Sequence, residues 1–389
     1  MIARRAGVVL ARLARESPVV ALTGPRQAGK TTLARATFSD RPYVNLEEPE
    51  TRRFAAEDPR GFLSRYPAGA VIDEAQRAPD LFSYIQTRVD ADPRPGLFIL
   101  TGSAQFLLDE RISQSLAGRV AYLHLLPFAL SELHDAHLAA DDLDTVLFRG
   151  AYPPVHTRPA DPRRWYDDYI ATYVERDLRQ LLRIQDLDAF QRFLALCAGH
   201  VGQLVNFARL GADCGITAHT AHAWLGVLRA SYVALALRPH HRNFRKRIVK
   251  SPKLYFYDTG LAARLLAIGD AAQLARHPLR GALFENWVVT ELLKGRLNRG
   301  LGDNLFFWRD HRGDEVDVLA DHGASLLAVE CKAGATVASD WLAGLNRWRS
   351  LAGDAAERPF LVYGGDDEQP RGDAHVLPWR KIADLAEQV

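Results

Sequence analysis

Two groups of residues in this sequence have the types and spacing that chemistry on phosphate esters requires. The first group follows an apolar run at Val19–Thr23 and reads G-x-x-x-x-G-K-S/T from Gly24 to Thr31. Glycines let the backbone approach phosphate oxygens, and the loop amides attract the anion together with the following helix N-terminus. The sequence therefore predicts a phosphate-binding loop that consists of Gly24, Pro25, Arg26, Gln27, Ala28, Gly29, Lys30, Thr31 and Thr32.

Four side chains carry the reaction that we predict at this loop. Lys30 reaches the β- and γ-phosphates of a nucleotide, and Thr31 binds Mg²⁺. A second apolar strand, at 70–74, ends in Asp73 and Glu74. We predict that Asp73 holds the Mg²⁺ ion and that Glu74 orients and polarises the attacking water. Lys30 and Glu74 are therefore the predicted catalytic residues of this site, and ATP and Mg²⁺ are its predicted cofactors.

Other residues are candidates for contact with the nucleotide. Ser103 follows the apolar strand at 96–100, where it, or Thr101, would sense the γ-phosphate. The alternative for this position is a helix-capping residue. Arg119 precedes another apolar strand and would reach the nucleotide of a neighbouring subunit as an arginine finger, with Arg176 as a second candidate. Such a role requires a homo-oligomer, and a structural or solvated arginine is the alternative.

The second group lies in the C-terminal part of the chain and consists of Glu285, Asp317, Glu330 and Lys332. A helix acid, a strand acid and then Glu-x-Lys on the next strand resemble the PD-(D/E)XK nuclease fold. Glu285, Asp317 and Glu330 would bind one or two Mg²⁺ ions through hard oxygen atoms. Lys332 would orient the hydrolytic water, which makes Asp317, Glu330 and Lys332 the predicted catalytic residues. A surface ion pair is the alternative for Glu330 and Lys332.

Further motifs accompany these two groups along nearly the whole chain. They are Ile72-Asp73-Glu74-Ala75-Gln76-Arg77, Leu100-Thr101-Gly102-Ser103, Leu116-Ala117-Gly118-Arg119, Pro127-Phe128-Ala129-Leu130-Ser131-Glu132-Leu133, Arg149-Gly150-Ala151-Tyr152-Pro153 and Tyr173-Val174-Glu175-Arg176-Asp177. With the phosphate-binding loop, they resemble the AAA-type ATPase family of bacteria and archaea that joins a P-loop ATPase to a C-terminal domain of unknown function. The resemblance implies ATPase activity and leaves the substrate open.

Composition limits the class of protein. A chain of 389 residues with 48% hydrophobic and 25% charged residues is typical of a globular protein with two or three domains. The net charge of +2 gives no overall attraction to nucleic acid, so any basic surface must be local. Cys197, Cys214 and Cys331 lack the spacing of a disulfide framework or a zinc site. No apolar run approaches the roughly 18 residues of a membrane helix, so we predict a cytoplasmic protein without a membrane partner.

Alternating apolar strands and amphipathic helices predict an α/β fold with a mostly parallel, three-layer sheet around the phosphate-binding loop. We predict an AAA+-like P-loop ATPase domain at 1–155 and a helical linker at 156–189. A winged-helix domain is predicted at 190–275, and a PD-(D/E)XK nuclease-like α/β domain at 276–389. The four prolines between 153 and 162 indicate a linker, and the apolar periodicity from 165 to 182 favours a long amphipathic helix.

The predicted winged helix rests on two helices joined by a short turn and followed by two strands. Thr217 would cap the second helix. A basic run separates the strands and contains Arg238, His240, His241, Arg242, Arg245, Lys246, Arg247, Lys250 and Lys253. We predict non-specific contact with DNA phosphates through Arg242, Arg245, Lys246, Arg247 and Lys250. A structural module with a solvated turn is the alternative.

Two functions remain open from the sequence. In the first, ATP hydrolysis acts on DNA, branched DNA included, and the nuclease-like domain cleaves or binds it. In the second, the ATPase is a signalling or assembly switch, the winged helix is structural and the nuclease-like domain is inert.

Overall fold

The computed structural model describes residues 2–102, 115–177, 184, 186–240, 251–310 and 312–389, and at 175–177 it describes the backbone alone. These residues form two compact units. One contains the chain up to Phe128 together with Leu297–Leu301, and the other contains Ala129–Arg296 and Gly302–Val389. The finer division into four segments stays a prediction.

The first unit alternates helices and strands. Its helices are α1 (Ala6–Glu16), α2 (Lys30–Thr37), α3 (Pro49–Glu57), α4 (Pro59–Ser64) and α5 (Leu81–Ala91). Its strands are β1 (Val19–Thr23), β2 (Tyr43–Asn45), β3 (Ala70–Asp73), β4 (Phe98–Thr101) and β5 (Val120–His124). They form one sheet in the order β2-β3-β4-β1-β5, and every pair in it is parallel.

Both faces of this sheet are covered by apolar side chains. Successive residues of β1 enter two different core clusters, Val19 and Ala21 in one and Val20 and Leu22 in the other. All residues of β1, β3 and β4 are buried, as a parallel sheet between two helical layers requires. The predicted α/β fold is confirmed here. Since β4 lies between β1 and β3, the ends of these three strands place Thr101 between the loop after β1 and Asp73.

The second unit contains a larger mixed sheet. Its helices are α6 (Leu130–Asp135), α7 (Leu143–Arg149), α8 (Pro153–Thr157), α9 (Pro162–Tyr169), α10 (Leu187–Gly199), α11 (Phe207–Cys214), α12 (Ala218–Ala230), α13 (Thr259–Leu265), α14 (Ala271–Ala275), α15 (Arg280–Asn298), α16 (Ala343–Ala352) and α17 (Ile382–Ala386). Its strands are β6 (Ala234–Pro239), β7 (Lys253–Phe256), β8 (Leu305–Arg309), β9 (Glu315–Asp321), β10 (Leu326–Lys332), β11 (Phe360–Tyr363), β12 (Gln369–Arg371) and β13 (Ala374–Pro378).

The strand order is β12-β13-β11-β10-β9-β8-β6-β7. Strands β8, β9 and β10 pair antiparallel in succession, and β11 then adds parallel to β10. The antiparallel pair β6 and β7 joins this sheet through parallel contacts between β6 and β8. The segments predicted to be a winged helix and a nuclease-like domain therefore share one continuous sheet.

Three of the four prolines in the predicted linker lie at the starts of helices. Pro153 and Pro154 open α8, and Pro162 opens α9. Proline is tolerated in the first turn of a helix, because the N–H that it lacks has no intrahelical partner there. Helix α9 continues as a π-helix over Ile170–Asp177, which confirms the predicted helix over its described part.

The predicted helix–turn–helix segment has the expected elements. Helices α11 and α12 flank a turn at Gly215, and the Thr217 hydroxyl accepts a hydrogen bond from the Thr220 amide at 3.0 Å. Thr217 is therefore the N-cap, as predicted. Within the part of the chain that the structure describes, none of the helices combines the length and the apolar character needed to cross a membrane.

Candidate functional sites

The predicted phosphate-binding loop runs from β1 into the first turn of α2. Gly24 has a φ of +145°, and a Cβ there would lie 2.1 Å from the Leu125 carbonyl oxygen. Gly29, with a φ of +94°, is the left-handed residue before α2. Both positions need glycine, the first because a neighbouring backbone is too close and the second because of its conformation. The loop thus curls in front of the helix N-terminus, where an anion is attracted.

Lys30 is the first residue of α2, and its side chain is folded into the loop. Its Nζ donates to the carbonyl oxygens of Gly24, at 2.9 Å, and Pro25, at 2.7 Å. Only 6% of the residue is exposed. Burial lowers the pKa of Lys30 to about 8, against the opposing charges of Glu74 and Asp73. When a phosphate binds, its oxygen atoms would replace the two carbonyl oxygens as acceptors of the Lys30 ammonium.

Asp73, at the end of β3, is the centre of the polar contacts in this site. Its Oδ2 accepts from the Thr31 hydroxyl at 2.8 Å and the Tyr43 hydroxyl at 2.6 Å. Its Oδ1 accepts from the Thr101 hydroxyl and from the Glu74 amide. The Thr31 hydroxyl and the Asp73 carboxylate therefore lie side by side as hard oxygen donors, the chemistry that Mg²⁺ prefers. The two predicted metal-binding residues fit that ion.

Glu74 adopts a left-handed conformation with a φ of 54°, which is uncommon for a residue with a side chain. Its Oε2 accepts a hydrogen bond from the Gln76 side-chain amide. Strained backbone of this kind is held in place only by the surrounding structure and is frequent in active sites. Glu74 thus follows directly on the metal-binding candidate Asp73, as the sequence predicts.

Two residues of the nucleotide site were missed in the sequence. Arg4 donates to the carbonyl oxygens of Ala28, at 2.8 Å, and Leu126, at 2.7 Å, so it holds the loop from behind. Tyr43 opens β2, and burial together with its bond to Asp73 raises the pKa of its hydroxyl. It therefore stays a protonated donor. The basic start of the chain and an aromatic residue on a strand are too common to indicate such roles.

The second predicted group forms a partly buried acidic cluster, whose members come from four elements. Glu285 lies on α15, Glu315 and Asp317 on β9, Glu330 and Lys332 on β10, and Lys253 on β7. The structure therefore brings together all four residues predicted for the nuclease-like site. It adds Glu315 and Lys253, which the sequence analysis did not assign to it.

Lys253 occupies the middle of three carboxylates. Its Nζ donates to Glu285 Oε1 at 2.7 Å, contacts the Glu315 carboxylate and lies 3.4 Å from Asp317 Oδ1. Only 2% of the residue is exposed. Burial alone would lower the pKa of Lys253, but the charges of Asp317, Glu285 and Glu315 outweigh it and raise the pKa. Lys253 is therefore a buried, charged ammonium.

Glu330 and Lys332 form an ion pair with an Nζ–Oε1 distance of 2.6 Å. The surface-pair alternative does not hold, because Glu330 is buried. Its other oxygen, Oε2, is buried without a hydrogen-bond partner. Burial and the charge of Asp317 raise the pKa of Glu330 to about 8, and the same two causes raise the pKa of Glu285 to about 7.

The group of carboxylates best placed for a metal differs from the predicted one. Among the described residues, one oxygen each from Glu285, Glu315 and Asp317 lie within 4.8 Å of one another. Glu330 is not in this group, although its pKa responds to Asp317 and Glu285. Glu315 could have been found from the sequence, because it lies two residues before Asp317 and hence on the same strand face.

Three known families match successive parts of the chain. Residues 16–134 match an AAA domain, 140–272 a domain of unknown function (DUF8612) and 280–382 a domain of unknown function (DUF4143). The chain is also 35% identical over 380 residues to Uncharacterized protein Rv2008c of Mycobacterium tuberculosis and to Uncharacterized protein Mb2031c of Mycobacterium bovis. These alignments cover 96% of this chain and 82% of each relative.

The chain belongs to the family of these two proteins. With the AAA domain over its first unit, it is an AAA-type P-loop ATPase. Among solved structures, it is similar to the Walker-type ATPase PABY2304 of Pyrococcus abyssi, with 17% identity, a TM-score of 0.46, and coverage of 68% of this chain and 96% of the other. It is also similar to the RuvB Holliday junction branch migration motor of Thermotoga maritima, with 21% identity and a TM-score of 0.32. That match covers 60% of this chain and 89% of the other. Both TM-scores are below 0.5.

The remaining nucleotide-site candidates of this ATPase have different outcomes. Ser103 lies outside the described residues, as does the side chain of Arg176. Arg119 precedes β5 and pairs with Asp90. It lies at the N-terminal ends of the parallel strands, whereas the phosphate-binding loop lies at their C-terminal ends. It therefore cannot reach the nucleotide of its own chain, and its contact with a neighbouring subunit stays a prediction.

The basic run of the predicted wing is divided between described and undescribed residues. Arg242, Arg245, Lys246, Arg247 and Lys250 lie outside the described residues. Lys253 and His240 are buried, and His240 lies 3.2 Å from Asp321. Arg238 pairs with Asp303 at 3.2 Å. Lys253 and His240, two members of the basic run, therefore face the interior, and the five residues predicted to contact DNA stay a prediction.

The ATP affinity of this ATPase is expected to fall as pH rises above about 8. Lys30 binds phosphate as an ammonium group, and burial makes it lose its proton near that pH. Each further pH unit removes about a factor of ten of the protonated form. Equilibrium titration with a fluorescent ATP analogue from about pH 7 to about pH 9.5 measures this effect. A constant affinity over that range would contradict it.

Proposed function

We propose that this chain hydrolyses ATP at the phosphate-binding loop and thereby controls a phosphodiester-handling site in its second unit. The observation that carries the first part is the 2.8 Å hydrogen bond between Thr31 and Asp73. This contact supports a shared Mg²⁺ site for the two side chains, which directly adjoin Lys30 and Glu74 in the sequence. Mg²⁺, when bound, supplies charge neutralisation at the β- and γ-phosphates.

The residues of the first unit would act in a defined order. The loop amides and Lys30 bind the phosphates, and the Lys30 ammonium leaves its two carbonyl acceptors to do so. Glu74 orients a water molecule for in-line attack on the γ-phosphorus and takes up its proton. The new phosphorus–oxygen bond forms from the water, the bond to the ADP oxygen breaks, and ADP leaves with the electron pair. Thr101 and Tyr43 hold Asp73 in position throughout.

For the second unit we propose a PD-(D/E)XK nuclease-like domain that acts on DNA next to a winged helix. The order α15-β8-β9-β10-α16-β11 supports it, as do the acidic cluster and the helix pair followed by two strands. Lys332 would orient a water molecule toward a backbone phosphate. Asp317 and Glu330 would bind a divalent ion, whose chemistry is to polarise the phosphate oxygen. Water adds to phosphorus, and the bridging oxygen leaves and takes up a proton.

The DNA partner rests on the predicted wing residues and on this phosphodiester chemistry. A cytoplasmic location and a homo-oligomer that would bring Arg119 to a neighbouring nucleotide belong to the same proposal. One observation favours the alternative of a signalling or assembly switch with an inert second site. The Lys253 ammonium already neutralises part of the acidic cluster, which reduces its demand for a metal ion.

A cleavage and binding panel tests the proposed action on DNA. Full-length protein is incubated with duplex, single-stranded and four-way-junction DNA, with Mg²⁺ and either ATP or a non-hydrolysable analogue. We expect Mg²⁺-dependent cleavage of at least one substrate, lost by more than about a hundredfold in Asp317→Asn, because this change removes a metal-binding charge. Asp340→Asn is the matched control at an exposed position. Binding without cleavage would mean that the nuclease-like domain binds DNA without cutting it. Absence of both binding and cleavage would favour the signalling or assembly switch.

A further inference from the structure

We propose that Lys253 is a built-in cation of the acidic cluster, which takes the place that a second divalent ion would otherwise occupy. The site then binds one divalent ion, at Asp317 and Glu330, and the ammonium remains between Glu285, Glu315 and Asp317. This inference rests on the proposed phosphodiester site and specifies its metal content.

The contacts of the ammonium support its role as a replacement for a second divalent ion. The three carboxylate oxygens lie within 4.8 Å of one another, a spacing that fits a single ion, and Lys253 Nζ lies among them. A divalent ion could not enter this group while the ammonium is there, because two cations would compete for the same oxygen atoms. Glu315 is further engaged, since its second oxygen binds Arg309 at 3.1 Å.

Lys253 is fixed by its surroundings. It lies on β7, paired with Leu237 of β6, and its Nζ is 5.7 Å from the centre of the Phe307 ring. Tyr255, two residues further on the same strand, donates its hydroxyl to Glu285. The ammonium is therefore held in the cluster by a buried residue of a paired strand, and not by a long side chain that extends from the surface.

Glu330 supplies an acceptor that no hydrogen bond uses. Glu330 is 8% exposed, and its Oε2 is buried with no hydrogen-bond partner. An unpaired carboxylate oxygen in the interior is costly, and a bound hard cation would remove that cost. Asp317 Oδ2 accepts the amide of Cys331, the residue directly after Glu330, at 2.9 Å and would be the second oxygen donor to the ion. Asp317 would then contact the ammonium through Oδ1 and the ion through Oδ2.

Counting bound Mn²⁺ per chain tests the inference. Full-length protein without nucleotide is titrated with Mn²⁺, and free Mn²⁺ is measured by electron paramagnetic resonance. We expect Glu330→Gln to lose one ion relative to the unaltered protein and Glu285→Gln to lose none. Lys253→Met, which keeps an unbranched side chain of similar length without the charge, should gain one ion. Lys381→Met, an exposed lysine on the same unit, should change nothing.

The outcomes separate this inference from the proposed function, because metal counting does not depend on DNA cleavage. Loss of an ion in Glu285→Gln, or no gain in a folded Lys253→Met, would overturn it. If Lys253→Met does not fold, the Glu285→Gln and Glu330→Gln titrations decide alone. An unaltered protein that binds no Mn²⁺ at Glu330 would overturn the single-ion site. The predicted metal counts without cleavage of any DNA would leave the inference intact and refute only the nuclease activity.

Discussion

Lys30→Ala is expected to lower ATP turnover by about a hundredfold or more and ATP affinity by at least about tenfold. The ammonium is folded into the phosphate-binding loop, where it donates to the carbonyl oxygens of Gly24 and Pro25. A hydrogen bond to a charged group contributes about 1.5–3 kcal/mol, and a lost stabilising donor in a transition state costs about 10²–10³ in rate. Phosphate release and equilibrium binding of an ATP analogue measure the two effects.

Arg15→Ala is the matched control for that experiment. It removes one positive charge from α1, where the side chain is exposed and bonds only weakly to Ala11 at 3.3 Å. Turnover should stay unchanged in this variant. Equal loss in both variants would mean that overall charge, and not the position of Lys30, determines phosphate binding.

Glu74→Gln is expected to lower ATP hydrolysis by about 10²–10⁴ while ATP still binds. The amide keeps the shape and the hydrogen bond with Gln76, but it cannot take up a proton from water. The loop and Lys30 are untouched, so the affinity should change by less than about threefold. Single-turnover hydrolysis and equilibrium binding separate the chemical step from binding.

Glu57→Gln makes the same chemical change at an exposed position near the end of α3. It should hydrolyse ATP at the original rate. If Glu74→Gln also hydrolyses ATP at that rate, another residue activates the water, and the assignment of Glu74 would have to be abandoned.

Local motifs predicted the nucleotide site because phosphate chemistry fixes both residue type and spacing. Gly24 and Gly29 are required by backbone approach and left-handed conformation, and both requirements can be recognised from the sequence pattern alone. Asp73 was recognisable because an apolar strand ends at it. The same reasoning identified Glu285 and Glu330. Each lies in or next to an apolar segment, which indicates that both side chains face the interior of the domain.

Long-range contacts were not predictable in this way. Lys253 was interpreted as part of a basic surface run, and only the pairing of β6 with β8 brings its strand into the sheet that carries the carboxylates. Arg4 contacts a carbonyl group 122 residues away. The insertion of β4 between β1 and β3 depends on strand order, which apolar runs alone do not specify. Contacts of this kind can be identified only once the three-dimensional fold is known.

Hydrolysis at the phosphate-binding loop is tested most directly by phosphate release from ATP by the full-length chain, with Mg²⁺ and after chelation by EDTA, alongside Lys30→Ala. We expect steady release that requires Mg²⁺ and is nearly abolished in the variant, because Thr31, Asp73 and Lys30 act on the same phosphates. Bound ATP without release at any Mg²⁺ concentration would contradict hydrolysis at this site. Release that persists unchanged in Lys30→Ala would contradict it as well.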